Sequence, residues 1–178
     1  MQKPSEKTIA QYALDSARRF NLAAQRCEET RLNPITGLPE ELLLCEAIVC
    51  YAFSIEVCFK AILRYEAEGV QMEHGLSKIF SQLSVATQNC IKSKLGDPKF
   101  DAKLDDISND FIKWRYVYEA QAAGKDIDSW VGFLKTLSNV TIETAKTIIP
   151  PPPPQAKLTQ EQQEQLEKVV AQMMARGN

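Results

Sequence analysis

A single histidine, His74, occurs in the 178 residues. One imidazole excludes a multi-histidine metal site and leaves most hydrolase triads without their usual base. Glycine is scarce as well. The seven glycines are scattered, and no strand-like run leads into any of them, so neither a phosphate loop nor a dinucleotide fingerprint can be drawn. No uncharged apolar run approaches the roughly 20 residues that a bilayer requires. The most apolar segment, Leu42 to Tyr65, is interrupted by Glu46, Glu56, Lys60 and Arg64, and it reads as a buried helix with no membrane contact. An excess of one charge is missing too. Twenty-one Lys and Arg against twenty-three Asp and Glu give a formal charge of -2, so any contact with nucleic acid has to be local. The five cysteines, Cys27, Cys45, Cys50, Cys58 and Cys90, form an odd set without CxxC spacing, and no charged, apolar leader precedes them. They read as reduced thiols packed in the core of a cytoplasmic protein, and no cofactor or metal is expected.

What is present is ordinary globular usage, 44% hydrophobic and 25% charged, in a length that suits one domain. From Ser5 to about Thr30, Ile9, Tyr12, Ala13, Ala17, Phe20, Ala24 and Cys27 recur at the three-and-four spacing of a helix face. Pro34, Gly37 and Pro39 then impose a loop. A second helix begins near Glu40 and is apolar almost all round, which places it at the centre of a bundle. Glu56, Lys60 and Arg64 form one charged stripe on it that should face solvent or a partner. Gly69 ends this helix, and Leu76, Ile79, Phe80 and Leu83 line a shorter one after His74. Ser84 can cap a further helix that stops at Gly96.

Asp97-Pro98 starts a long helix whose seam is Phe100, Leu104, Ile107, Phe111, Trp114 and Tyr118, and which should pack on the second helix. After Gly124, Asp126 or Asp128 can cap the last core helix, with Trp130, Phe133, Leu134, Leu137, Thr141, Thr144 and Ile148 along one side. The expected fold is an all-α, up-and-down bundle of about five helices over residues 1–149. Pro150 to Pro154 supply no amide donors and read as an extended polyproline linker, residues 150–156. Residues 157–178 read as a polar, amphipathic C-terminal helix with Leu166, Val169, Val170, Met173 and Met174 along one side. Thr159 can cap it, and it either docks on a protein partner or frays as a tail.

Little of this sequence carries obvious chemistry. The structural role for His74, a hydrogen bond near the start of a helix, outweighs catalysis. Asp101, Asp105, Asp106 and Asp110 read as a solvated acidic face near a helix start. One constellation stands out, Phe111 to Glu119, because Arg115 and Glu119 are four apart beside the seam residues Trp114 and Tyr118. Such a pair serves structure first, and it also suits a guanidinium held ready for phosphate.

Three segments carry a resemblance to the HEPN superfamily of helical bundles. Ala52-Phe53-Ser54-Ile55-Glu56-Val57-Cys58-Phe59-Lys60-Ala61-Ile62-Leu63 is similar to that family's second helix. His74-Gly75-Leu76 resembles the His-x-Leu that opens its next helix, and Trp114-Arg115-Tyr116 with Glu119 looks like the Trp-Arg-Tyr segment of one branch. The resemblance implies a homodimer in a bacterial defence or toxin-antitoxin setting, with a site at Arg115 and Glu119 supported by Trp114, Tyr116 and Tyr118. Ribonuclease members follow the arginine with a histidine four to six residues later, where this chain has Ala120, Gln121 and Ala122. None of these relays a proton near neutral pH, so the implied function is binding of RNA, a nucleotide or a protein partner, without catalysis. Two alternatives stand beside it. One is an unconventional ribonuclease using Arg115 with Glu119 or a tyrosine, and the other is an assembly protein acting through its C-terminal segment.

Overall fold

The computed structural model describes residues 4–30, 32–33, 35–38, 43–66, 74–114 and 127–151, with side chains of 109–114 not described. Among the described residues there are six helices and no β-strand, so the chain is an all-α bundle, as its periodicity predicts.

Helix α1 spans Glu6–Cys27 and is started by Ser5, whose Oγ accepts from the Thr8 amide at 3.2 Å. Its buried seam differs from the expected one. Ala10, Leu14, Ala17, Asn21 and Ala24 face the core, whereas Tyr12 is 61% exposed and Phe20 is 38% exposed. The reason is size: alanines seven apart let the neighbouring backbone approach closely, and the aromatic rings are displaced to the rim. That neighbour is α2, Leu44–Glu66, the central helix. Leu42 lies outside the described residues, as does Gly69, to which the sequence assigned the end of α2.

Helix α2 buries Ile48, Tyr51, Ile55, Phe59 and Ile62 almost completely. Each such side chain contributes about 1.5–3 kcal/mol of transfer free energy. Helix α3, Leu76–Gln82, is followed by helix α4, Val85–Leu95, which has the caps the sequence announces. Ser84 Oγ accepts from the Thr87 amide, and Gly96 closes α4 in the left-handed conformation at φ 61°. Helix α5, Phe100–Trp114, starts two residues later than the Asp97-Pro98 signal suggests. Asp97 forms a turn instead, its Oδ1 accepting from the Lys99 amide at 2.9 Å, and Pro98 sits in that turn. Helix α6, Ile127–Ile148, has Asp128 inside its first turn, so Asp128 is not the cap, while Asp126 lies outside the described residues.

The helices meet through one aromatic chain. Phe59, Phe80, Phe100 and Phe133, from α2, α3, α5 and α6, stand with successive centroids 5.5, 5.0 and 6.3 Å apart, within the favourable range for tilted ring pairs. Helix α5 therefore packs on α3 as well as on α2. Phe100 lies on Phe80, and further along, Ser108 Oγ accepts from the Ser77 amide at 2.7 Å. Travelling from Phe100 to Ser108 thus moves back along α3 toward its first turn, so α5 points its C-terminal end at the His74 side of the bundle.

Candidate functional site

Among the described residues, two of the polar clusters that involve α2 differ in whether they leave a buried acceptor open. The first ties α1, α2 and α6 together. Ser54 Oγ donates to the Ala17 carbonyl at 2.8 Å, so its contact with Ser138 Oγ, also 2.8 Å, must be donated by Ser138. Asn21 Nδ2 in turn donates to Ser138 Oγ and to Asn139 Oδ1, while its own Oδ1 accepts from Gln25. Every member is satisfied, which suits a structural fastener. Nearby, the Tyr51 hydroxyl donates to Glu28 Oε1 and Lys135 Nζ reaches Glu28 Oε2 at 2.9 Å. Burial first, then the hydrogen bond to the Glu28 carboxylate, pushes the Tyr51 phenol well above its ordinary range, so it stays a donor.

The second cluster is Glu56, Lys60 and His74. Helical spacing puts Glu56 and Lys60 on one face of α2, and the extended residues before α3 bring His74 over them. Lys60 Nζ donates to Glu56 Oε1 at 2.7 Å, and His74 Nδ1 lies 3.0 Å from the same oxygen. A carboxylate only accepts, so Nδ1 carries the hydrogen of that bond. The side chain of Glu56 is 6% exposed, Lys60 18% and His74 60%, a gradient from core to solvent. Glu56 Oε2 is buried and has no hydrogen-bond partner among the described residues. Leaving such an oxygen unsatisfied costs roughly 1–3 kcal/mol, more when it is charged, so the arrangement persists against a standing penalty.

Of the Glu56, Lys60 and Arg64 stripe expected to face solvent or a partner, Glu56 is instead buried within the chain and the two cations are partly exposed. Glu56 points inward because α3 and the residues before it cover that side of α2, and Arg64 is drawn to Glu6 of α1 at 2.7 Å. The signal was present in the sequence: on a helix apolar nearly all round, a Glu-Lys pair four apart has no free face to occupy. His74 does make a hydrogen bond just before α3, to the α2 carboxylate of Glu56, while the Gly75 cap offers no side-chain bond.

Of the site residues expected from sequence, Trp114 is the last residue of α5, and Arg115, Tyr116, Tyr118 and Glu119 lie outside the described residues. Among the described residues no three His, Cys, Asp or Glu side chains gather to hold a metal ion, and no helix is long and apolar enough to cross a membrane. Comparison with protein-family models, with curated proteins and with solved structures finds no match to this chain.

Proposed function

We propose that this chain is a non-catalytic, HEPN-like binding protein of a bacterial defence or toxin-antitoxin system, acting as a homodimer and holding a nucleotide or RNA near Arg115. The observation that carries the reading is the buried Glu56 carboxylate with one oxygen unsatisfied, flanked by Lys60 and His74. Two of the three segments that resemble HEPN proteins meet at that carboxylate. The third begins at Trp114, the end of α5, which runs about 9 Å beyond Ser108 on the His74 side. The Lys60 ammonium and the His74 imidazole suit phosphate, as does the guanidinium that the resemblance assigns to the site at Arg115.

The test is fluorescence anisotropy of a labelled single-stranded RNA, competed by a nucleoside triphosphate. Arg115→Ala and Lys60→Ala should each weaken binding tenfold or more, with the RNA recovered intact. No binding by the wild-type chain, or equal binding by both variants, would sink the proposal.

One observation favours the ribonuclease reading as a second possibility. His74 is a half-exposed imidazole whose Nδ1 is fixed by a buried carboxylate, the arrangement that sets a histidine up as a general base. Shortening of the RNA by the wild-type chain, lost in both His74→Ala and Arg115→Ala, would select it over binding alone.

A further inference from the structure

The described chain leaves the bundle in a defined direction. At the end of α6, Gln11 of α1 uses one amide nitrogen to donate to the carbonyls of Pro150 and Pro151, at 3.1 and 3.4 Å. Prolines have no amide hydrogen of their own to anchor them, so this clamp sets the path of exit, across α1 and not away from it. There the chain enters a groove of about 430 Å³ between α1 and the end of α6, lined by Tyr12, Leu14, Arg18, Arg19, Lys146 and Ile149. A second hollow continues it along α1 past Leu22, sharing Arg18, Arg19 and Lys146. Tyr12 is 61% exposed and Leu22 48% exposed on this side, large apolar surfaces that nothing described covers.

The geometry points to one occupant, the chain's own C-terminal segment from Thr159 to Ala175, folded back in cis onto this groove. Three features of the sequence match it. Leu166, Val169, Val170, Met173 and Met174 recur at the spacing that builds one apolar face, which is marginal alone in water and stabilised by an apolar groove. Between Leu158 and Glu167 the only charges are Glu161, Glu164 and Glu167, while in the groove the cations Arg18, Arg19 and Lys146 outnumber the one lining carboxylate, Asp15, which pairs with Arg19, and Lys146 also meets Glu143 at the rim. The reach also suffices. Residues 152–158 extend over about 22 Å at 3.1 Å per residue, while Gln11 to Leu22 spans about 16 Å of helix, so the segment can turn back over the groove.

Zero-length carbodiimide coupling of the full-length chain tests this, because it joins a lysine only to a carboxylate in direct contact. A mixture of 14N- and 15N-labelled chains should give Lys146 coupled to Glu164 or Glu167 within like-labelled molecules alone, at any protein concentration. Val170→Asp with Met173→Asp should lower that product at least tenfold and speed tryptic cleavage after Lys168 by a similar factor. Mixed-label products that grow with concentration would assign the groove to a second copy and overturn the proposal. So would absence of the coupled product, or equal coupling and cleavage in the double variant.

Discussion

Single side chains in this protein differ most in whether their polar atoms find partners. Thr141 is fully buried on α6, and its hydroxyl has no hydrogen-bond partner among the described residues. Valine has nearly the same shape and no hydroxyl to desolvate, so Thr141→Val should stabilise the fold by about 1 kcal/mol, read as a higher urea midpoint at unchanged slope. Glu56 poses the opposite problem, because its charge is buried but paired. Removing the ammonium alone strands that carboxylate, and Lys60→Met should cost about 2 kcal/mol, below the roughly 3–5 kcal/mol of a fully buried pair because Lys60 is partly exposed. Glu56→Met together with Lys60→Met should recover most of that loss, since two well-packed apolar groups need no partners. A double variant as unstable as Lys60→Met, in the same urea titration, would show that the carboxylate contributes something beyond its pairing with Lys60.

The elements show how local chemistry starts and stops helices, and two glycines separate backbone conformation from space. Gly96 ends α4 at φ 61° with open space where a Cβ would go, while Gly132 sits inside α6, also facing open space. Sterics around the side chain are therefore absent at both, and only the backbone differs. Gly96→Ala should destabilise by about 1 kcal/mol, the cost of a left-handed alanine, and Gly132→Ala should stabilise by about 0.8 kcal/mol, the helix preference of alanine. Opposite shifts of the thermal midpoint check both, and shifts of the same sign would refute the comparison. The same local signals made most elements legible in the sequence. Ser84 and Gly96 each carry a cap that depends only on neighbouring residues, and the α3 seam and the first part of the α5 seam, Phe100, Leu104 and Ile107, follow from periodicity, while the side chains of Phe111, Trp114 and Tyr118 lie outside the described residues. What periodicity could not supply was rank within a face. On α1 both Ala17 and Phe20 fit the apolar spacing, and the choice of Ala17 for the interior depends on how closely α2 approaches, a tertiary quantity. Glu56 was misplaced for a related reason, because the cover that α3 gives to α2 is set by packing and not by local pattern. Of the candidate site, the Trp114 to Glu119 segment was legible only as a motif, and its side chains lie outside the described residues. The carboxylate cluster emerged only once His74 was placed over α2.

At the scale of the whole molecule, the four phenylalanines that join α2, α3, α5 and α6 make the core one connected body, so opening any part of its centre requires opening most of it. Cys58 lies at that centre, fully buried between Ile55 and Phe59 on α2, and burial alone pushes its thiol far above the ordinary value of 9.0. The thiolate is the reactive form, so native Cys58 is protected twice, by access and by protonation. Its alkylation at pH 8 should proceed only through global unfolding, suppressed at least 1,000-fold against the unfolded chain, as expected for a domain stable by about 5 kcal/mol or more. Cys27 and Cys50 are only half-buried at the periphery of the same core, and they should react through smaller local openings. Iodoacetamide pulses across a urea series, resolved by peptide mass, measure these rates separately. The Cys58 rate should rise with the full denaturant slope of equilibrium unfolding, whereas the other two should rise with shallower slopes at low urea. Three equal slopes would mean the periphery opens only with the core, and a shallow slope at Cys58 would mean that α2 can leave the bundle while the rest remains folded.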